Sequence, residues 1–313
     1  MPTNRYSRRG FLRLSAGGAL AGAGLLSSPL APAIEPIQRK GPPRMALALA
    51  AYSFRESFKD NSTRKQAASA SGKQIDMFDF VDYCADHACA AEVTSYFFPK
   101  DPSDEYLLRL RRHAFLRGVA ISGTAVGNNF AHPKGEKRDQ EIAAVKRWID
   151  RAAVVGAPHI RIFAGGPPKG TSDAEARQMC IAAIEECCDY AGQKGIFLGL
   201  ENHGGIVALP EGLLEIVRAV KSPWLGVNLD TGNFHTDDPY GDLAKCAPYA
   251  VNVQVKVEIG KTRGDLKPAD LSRLVKILRD VNYQGFVALE YEAKEDPWKA
   301  VPPLLQQLRQ LMA

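Results

Sequence analysis

Eight short apolar runs recur along the chain, each followed by a longer polar or amphipathic stretch, and this alternation restricts the fold more than any other feature. The runs lie near Ala46–Tyr52, Ala90–Ser95, Val119–Thr124, His159–Phe163, Ile196–Glu201, Leu225–Asp230, Val251–Val257 and Phe286–Tyr291. Turn residues bound them, as expected of strands buried on both faces. Between them, Asp139–Val155 spaces Ile142, Val145, Trp148, Ile149 and Ala152 by threes and fours, which predicts one apolar helical face. Asp173–Gln193 and Pro268–Val281 read the same way. The triplets Pro210-Glu211-Gly212 and Pro268-Ala269-Asp270 predict helix starts, where the N–H missing from proline costs little. Gly192 and Gly195 predict a helix end just ahead of the fifth strand.

Strict strand–helix alternation implies a parallel sheet with helical crossovers. Eight such units need about 250 residues. The chain has 313, with 45% hydrophobic and 24% charged residues, so one large core is affordable. No G-x-G-x-x-G turn follows the first strand, which weakens a dinucleotide-binding doubly wound sheet. The expected fold is therefore α/β, a closed eight-stranded (β/α)8 TIM barrel over residues 44–313, preceded by a proline-containing linker at 34–43.

Residues 1–33 read differently. Ser7-Arg8-Arg9-Gly10-Phe11-Leu12-Arg13 is a twin-arginine pattern, a Gly- and Ala-rich apolar run follows, and Ala31-Pro32-Ala33 is a small-residue cleavage pattern. Together they predict a Tat-type export signal cleaved near Ala33, with the Tat machinery as partner and a periplasmic destination. The apolar run is too short and too weak for a stable membrane span. Residues 1–33 carry four arginines and no acid, so without them the formal charge of +5 falls to +1. A near-neutral chain has no electrostatic case for nucleic acid or an anionic membrane. The six cysteines form no C-x-x-C pair, and free, buried thiols are expected.

Barrel chemistry sits at the C-terminal strand ends. There the fifth strand reads Leu200-Glu201-Asn202-His203-Gly204-Gly205, the sixth Val227-Asn228-Leu229-Asp230-Thr231-Gly232-Asn233-Phe234, the seventh Val253-Gln254-Val255-Lys256, and the eighth Leu289-Glu290-Tyr291-Glu292. Glu201, Asp230, Gln254 and Glu290 thus fall on consecutive strands, about 4.8 Å apart. Three converging carboxylates repel unless something positive lies between them. Their hard oxygens suit one divalent metal ion, Mn²⁺ or Mg²⁺, and the Gln254 amide oxygen is compatible with either.

These runs, with G-V-N-L-D-T-G-N-F and the closing G-F-V-A-L-E, resemble the xylose-isomerase-like TIM-barrel superfamily of sugar isomerases, ketose 3-epimerases and inosose dehydratases, over about residues 44–312. The resemblance implies a metal held by Glu, Asp, His and Glu from strands five to eight, which map to Glu201, Asp230, Gln254 and Glu290. Gln254 replaces the usual histidine of a His-x-Lys run and is the weaker ligand. Asn233 stands where relatives often carry a second histidine, with His235 two residues on. The implied reaction moves a proton next to a carbonyl through an enediolate, with Glu201 and Glu290 as acid and base and the metal polarising the carbonyl.

Other candidates for binding a carbohydrate substrate are His203, Lys256, His235, Glu92, Arg161 and Asn129. Lys256 is placed to hold the developing oxyanion; an internal ion pair is the alternative for Glu92 and Arg161. Competing readings of the barrel are a keto-sugar or inosose lyase, a non-catalytic sugar-binding relative, and a zinc phosphodiesterase, the last disfavoured by the scarcity of histidines at the rim.

Overall fold

A computed structural model describes residues 34–62 and 72–313; the export pattern lies outside them. Among the described residues eight parallel strands close into a barrel: β1 (Arg44–Ala50), β2 (Ala90–Thr94), β3 (Ile121–Ala125), β4 (His159–Ile162), β5 (Phe197–Glu201), β6 (Leu225–Asp230), β7 (Ala250–Val255) and β8 (Gln284–Leu289). Each strand pairs with its sequence neighbours, and β8 closes on β1 through Arg44↔Gln284 to Leu49↔Leu289. Every residue of β2, β3, β4 and β6 is buried, as expected of parallel strands covered on both faces, and the polar ones among them turn into the barrel or its mouth.

Helices follow the strands: α1 (Met77–Asp86), α2 (Asp104–Leu116), α3 (Glu136–Val155), α4 (Asp173–Gln193), α5 (Pro210–Ala219), α6 (Pro239–Cys246), α7 (Leu271–Asp280) and α8 (Pro297–Met312). Local chemistry sets their starts. Ser172 and Glu175 form a reciprocal capping box on α4, and Pro210 occupies the first turn of α5. One expectation fails. Pro268 does not open a helix but pairs, in the two-residue strand Lys267–Pro268, with Glu258–Ile259. The helix begins at Leu271, because the Asp270 carboxylate accepts the Arg273 N–H and caps it.

The barrel interior is unusually small and polar. Ala48, Ala90 and Ala288 cluster there with Phe286 against them, beside the buried side chains of Glu92, His159, Asn228, Asn252 and Gln254. Residues 34–43 are tied to the strands rather than free. The Ile37 N–H donates to the Pro248 carbonyl at 2.9 Å, and the Arg39 guanidinium donates to the Ala250 carbonyl. Ile34, Ile37 and Arg39 help to line a mostly apolar cavity of about 770 Å³ at the N-terminal ends of the strands, with Phe197, Leu225 and Phe286. It lies at the end of the barrel opposite the strand-end carboxylates, so its size does not make it the reaction site.

Candidate active site

At the C-terminal mouth a cavity of about 410 Å³ is lined by Tyr52, Arg55, His203, Asn233, His235, Lys256, Arg263 and Glu292, among others. Glu201, Asp230 and Glu290 are all buried at this end of the barrel, as the strand-end argument predicts. Each, however, has a specific partner.

Glu201 sits between a cation and an amide. Arg161 Nε on β4 lies 2.9 Å from its Oε2, and Asn233 Nδ2 donates to its Oε1 at 2.9 Å. Arg161 is itself enclosed: its centre is 4.0 Å above the Phe163 ring, and Nη1 donates to the Val126 carbonyl at 3.1 Å. Burial pushes the Glu201 carboxyl up to about 8. Arg161 opposes this, and the nearby Asp230 and Glu290 charges add to it.

Lys256 holds the other three acids. Its Nζ lies 2.8 Å from Glu290 Oε2, 2.5 Å from Glu292 Oε2 and 3.3 Å from Asp230 Oδ2. Burial works against the ammonium, but the three carboxylates outweigh it and hold its pKa far above the ordinary lysine value. The backbone fixes the stem. The Lys256 N–H donates to Thr231 Oγ1 at 2.9 Å, and a Cβ on Gly232 would come within 2.6 Å of Lys256 Cγ, so only glycine leaves room there. Asp230 is clasped from behind by Asn202, which accepts its N–H and donates to its carbonyl, both at 2.9 Å. Its Oδ1 accepts the Gly232 N–H at 2.8 Å. Burial raises Asp230 to about 7 despite Lys256.

Gln254 belongs to a closed ring of side chains below the mouth. Its Nε2 donates to Glu92 Oε1 at 2.6 Å, and its Oε1 accepts Asn228 Nδ2 at 2.6 Å. Asn252 Nδ2 completes the ring, donating to Glu92 Oε2 at 2.8 Å and Asn228 Oδ1 at 2.9 Å. Glu92 is therefore neither a pocket-lining residue nor an internal ion pair, but the acceptor of an amide ring.

This arrangement does not fit the divalent ion expected from the sequence. Its four ligands need oxygens turned to one point. Here both Glu201 oxygens and the Gln254 oxygen are engaged elsewhere, and an ammonium stands between Asp230 and Glu290. Among the described residues no group of three or more His, Cys, Asp or Glu is arranged to hold a metal. The positive charge that the carboxylates require is supplied by Lys256 and Arg161.

His203 and His235 do reach the cavity. His203 stacks on Phe163 with ring centroids 4.5 Å apart. Partial enclosure, then the charges of Arg161, Lys256 and Arg263, bring it down to about 4, which leaves a neutral imidazole. His235 Nδ1 is 3.1 Å from the Gly260 carbonyl. The Asn129 side chain turns instead into its own loop, where Oδ1 accepts the Ala131 N–H at 2.9 Å. Sequence reasoning gave no role to Asn228, Asn252, Glu292, Arg55 or Arg263. The first two were accessible by parity: Asn228 and Asn252 stand two residues before Asp230 and Gln254, so they face the same side of their strands.

Comparison with known proteins agrees with this architecture. Residues 67–311 match the model of the family described as "Xylose isomerase-like TIM barrel". A mouse protein named "Putative hydroxypyruvate isomerase" is 26% identical over 229 residues, covering 66% of this chain and 80% of that protein. Among solved structures, D-psicose 3-epimerase with D-tagatose from Clostridium cellulolyticum H10 superposes with a TM-score of 0.65 at 15% identity, covering 84% of this chain and 89% of that one. IOLI protein with a bound zinc atom superposes with a TM-score of 0.64 at 17% identity, covering 85% and 96%. The chain belongs to the xylose isomerase-like TIM barrel family.

Proposed function

We propose that the protein is an isomerase or epimerase of a small α-hydroxy carbonyl compound, a sugar or keto-sugar, acting through an enediolate. The observation that carries this reading is a pair of buried carboxylates at the C-terminal mouth of the barrel, Glu201 on β5 and Glu290 after β8, each held by a residue that lines one polar cavity, Asn233 and Lys256. A carboxyl such as Glu201, raised to about 8, both gives and takes a proton near neutrality. Glu290 is the partner base, and Lys256 orients it through the 2.8 Å contact. His203, His235, Arg55 and Arg263 line the cavity where substrate hydroxyls and carbonyls would be bound. The names of the mouse relative and the Clostridium epimerase, both describing enzymes of α-hydroxy ketones, support the same reaction class.

Proton NMR in D₂O with hydroxypyruvate and a panel of ketoses tests this. Deuterium should enter at the carbon beside the carbonyl, with a product of unchanged skeleton. Glu290→Gln should slow exchange by about 10²-fold or more, with the circular dichroism spectrum intact. Loss of water would indicate a lyase instead, and no exchange with any substrate would remove the reading.

The twin-arginine pattern supports export by the Tat route. Fractionation of a bacterial host should find the protein in the periplasm, and Arg8→Lys with Arg9→Lys should retain it in the cytoplasm.

A further inference from the structure

We infer that Lys256 serves as a built-in electrophile in place of a divalent metal, so that turnover needs no metal ion. This rests on the enediolate reading above for its chemistry, but not for its geometry. The ammonium occupies the point on which Asp230, Glu290 and Glu292 converge, at 3.3, 2.8 and 2.5 Å. Its position is built in by several residues at once. Gly232 leaves space for the stem, Thr231 Oγ1 anchors the backbone N–H, and Asn202 fixes the strand end that carries Asp230. The remaining expected ligands are committed elsewhere: Gln254 to Asn228 and Glu92, and Glu201 to Arg161 and Asn233. Lys256 also lines the mouth cavity, so an oxygen of a bound substrate can meet its Nζ.

The step balances without a co-reactant. A carboxylate removes the proton from the hydroxyl-bearing carbon, and the C–H electron pair becomes the C=C bond of the enediolate. The carbonyl π pair moves onto oxygen, where the ammonium donates a hydrogen bond to the new negative charge. The proton returns to the former carbonyl carbon, and the hydroxyl hydrogen passes between the two oxygens, giving an isomer. Removing one such preorganised donor costs about 10²–10³-fold in turnover.

The test starts with the unaltered protein. After dialysis against a chelator it is titrated with Mn²⁺ and followed by electron paramagnetic resonance, and its D₂O exchange is measured with and without the chelator. We expect no stoichiometric Mn²⁺ binding and exchange that the chelator leaves unchanged. Lys256→Ala should lose exchange by about 10²–10³-fold. It should also gain Mn²⁺ binding, because three carboxylates then lack a counter-charge. Tight binding of one Mn²⁺ by the unaltered protein, or chelator-sensitive exchange, overturns the inference. The Mn²⁺ titration decides it even if Lys256→Ala does not fold. It also decides it if no substrate exchanges deuterium, an outcome that would count only against the enediolate reading.

Discussion

Glu92 is wholly buried, and among the described residues its carboxylate meets no cation in hydrogen-bonding contact, only the amides of Asn252 and Gln254. Burial raises it to about 7 and the Glu290 charge adds to this, while the two amides and the more distant Arg161 pull it back. The folded value exceeds the unfolded one, so the folded state keeps the proton longer. The stabilisation from this group is complete below about pH 4.5 and is lost as pH rises through 7. Asp230 and Glu201, raised to about 7 and about 8, act in the same direction. Urea unfolding should therefore show stability falling from about pH 4.5 to about pH 8 and levelling above that. Glu92→Gln, which resembles the protonated side chain, should flatten that slope and stabilise the protein at the alkaline end by up to about 3 kcal/mol. His159 has the opposite sign. Burial, with Arg161 nearby, lowers it to about 3, so its contribution is present above its unfolded value and disappears in acid.

At the level of elements, β3, β4 and β5 are matched around that histidine. Gly123 and Gly199 flank its ring from the neighbouring strands; a Cβ at Gly199 would lie 2.3 Å from His159 Nε2, and one at Gly123 2.8 Å from Nδ1. Gly199→Ala should cost about 1–3 kcal/mol through overpacking. In a His159→Ala background the same change should cost less, a coupling that a double-mutant cycle in urea would measure. These close fits explain what the sequence could and could not disclose. The strands were legible because runs buried on both faces are short, mostly apolar and bounded by turn residues, and Glu201, Asp230, Lys256 and Glu290 were legible because each ends or follows one. Pro268 was misread because a proline suits a helix start and a strand edge equally well, and the deciding group, the Asp270 cap, is local side-chain chemistry. The expected convergence of Gln254 with the three carboxylates was not readable for a different reason. Where the Gln254 amide oxygen points is set by Glu92, 162 residues away, and by Asn228, and no spacing rule records such partners.

Across the whole molecule, all six cysteines, Cys84, Cys89, Cys180, Cys187, Cys188 and Cys246, are buried and unpaired. Burial raises the thiols of Cys180, Cys187 and Cys246 to about 12, which suppresses the reactive thiolate. A thiol reagent such as Ellman's should find almost none in the native protein and all six in guanidinium, at a rate that reports global opening. The amide ring below the mouth has a consequence of its own. With Glu92 ionised it can only accept, so the NH₂ groups of Asn252 and Gln254 must both point toward it. One added proton makes Glu92 a donor, and an amide facing it must then present oxygen. If Gln254 turns over, its NH₂ meets Asn228, whose amide has to rotate in its turn. Asn252 cannot follow, because its one Nδ2 serves both Glu92 Oε2 and Asn228 Oδ1, so the floor of the barrel has a single fully satisfied arrangement, and a proton on Glu92 breaks it.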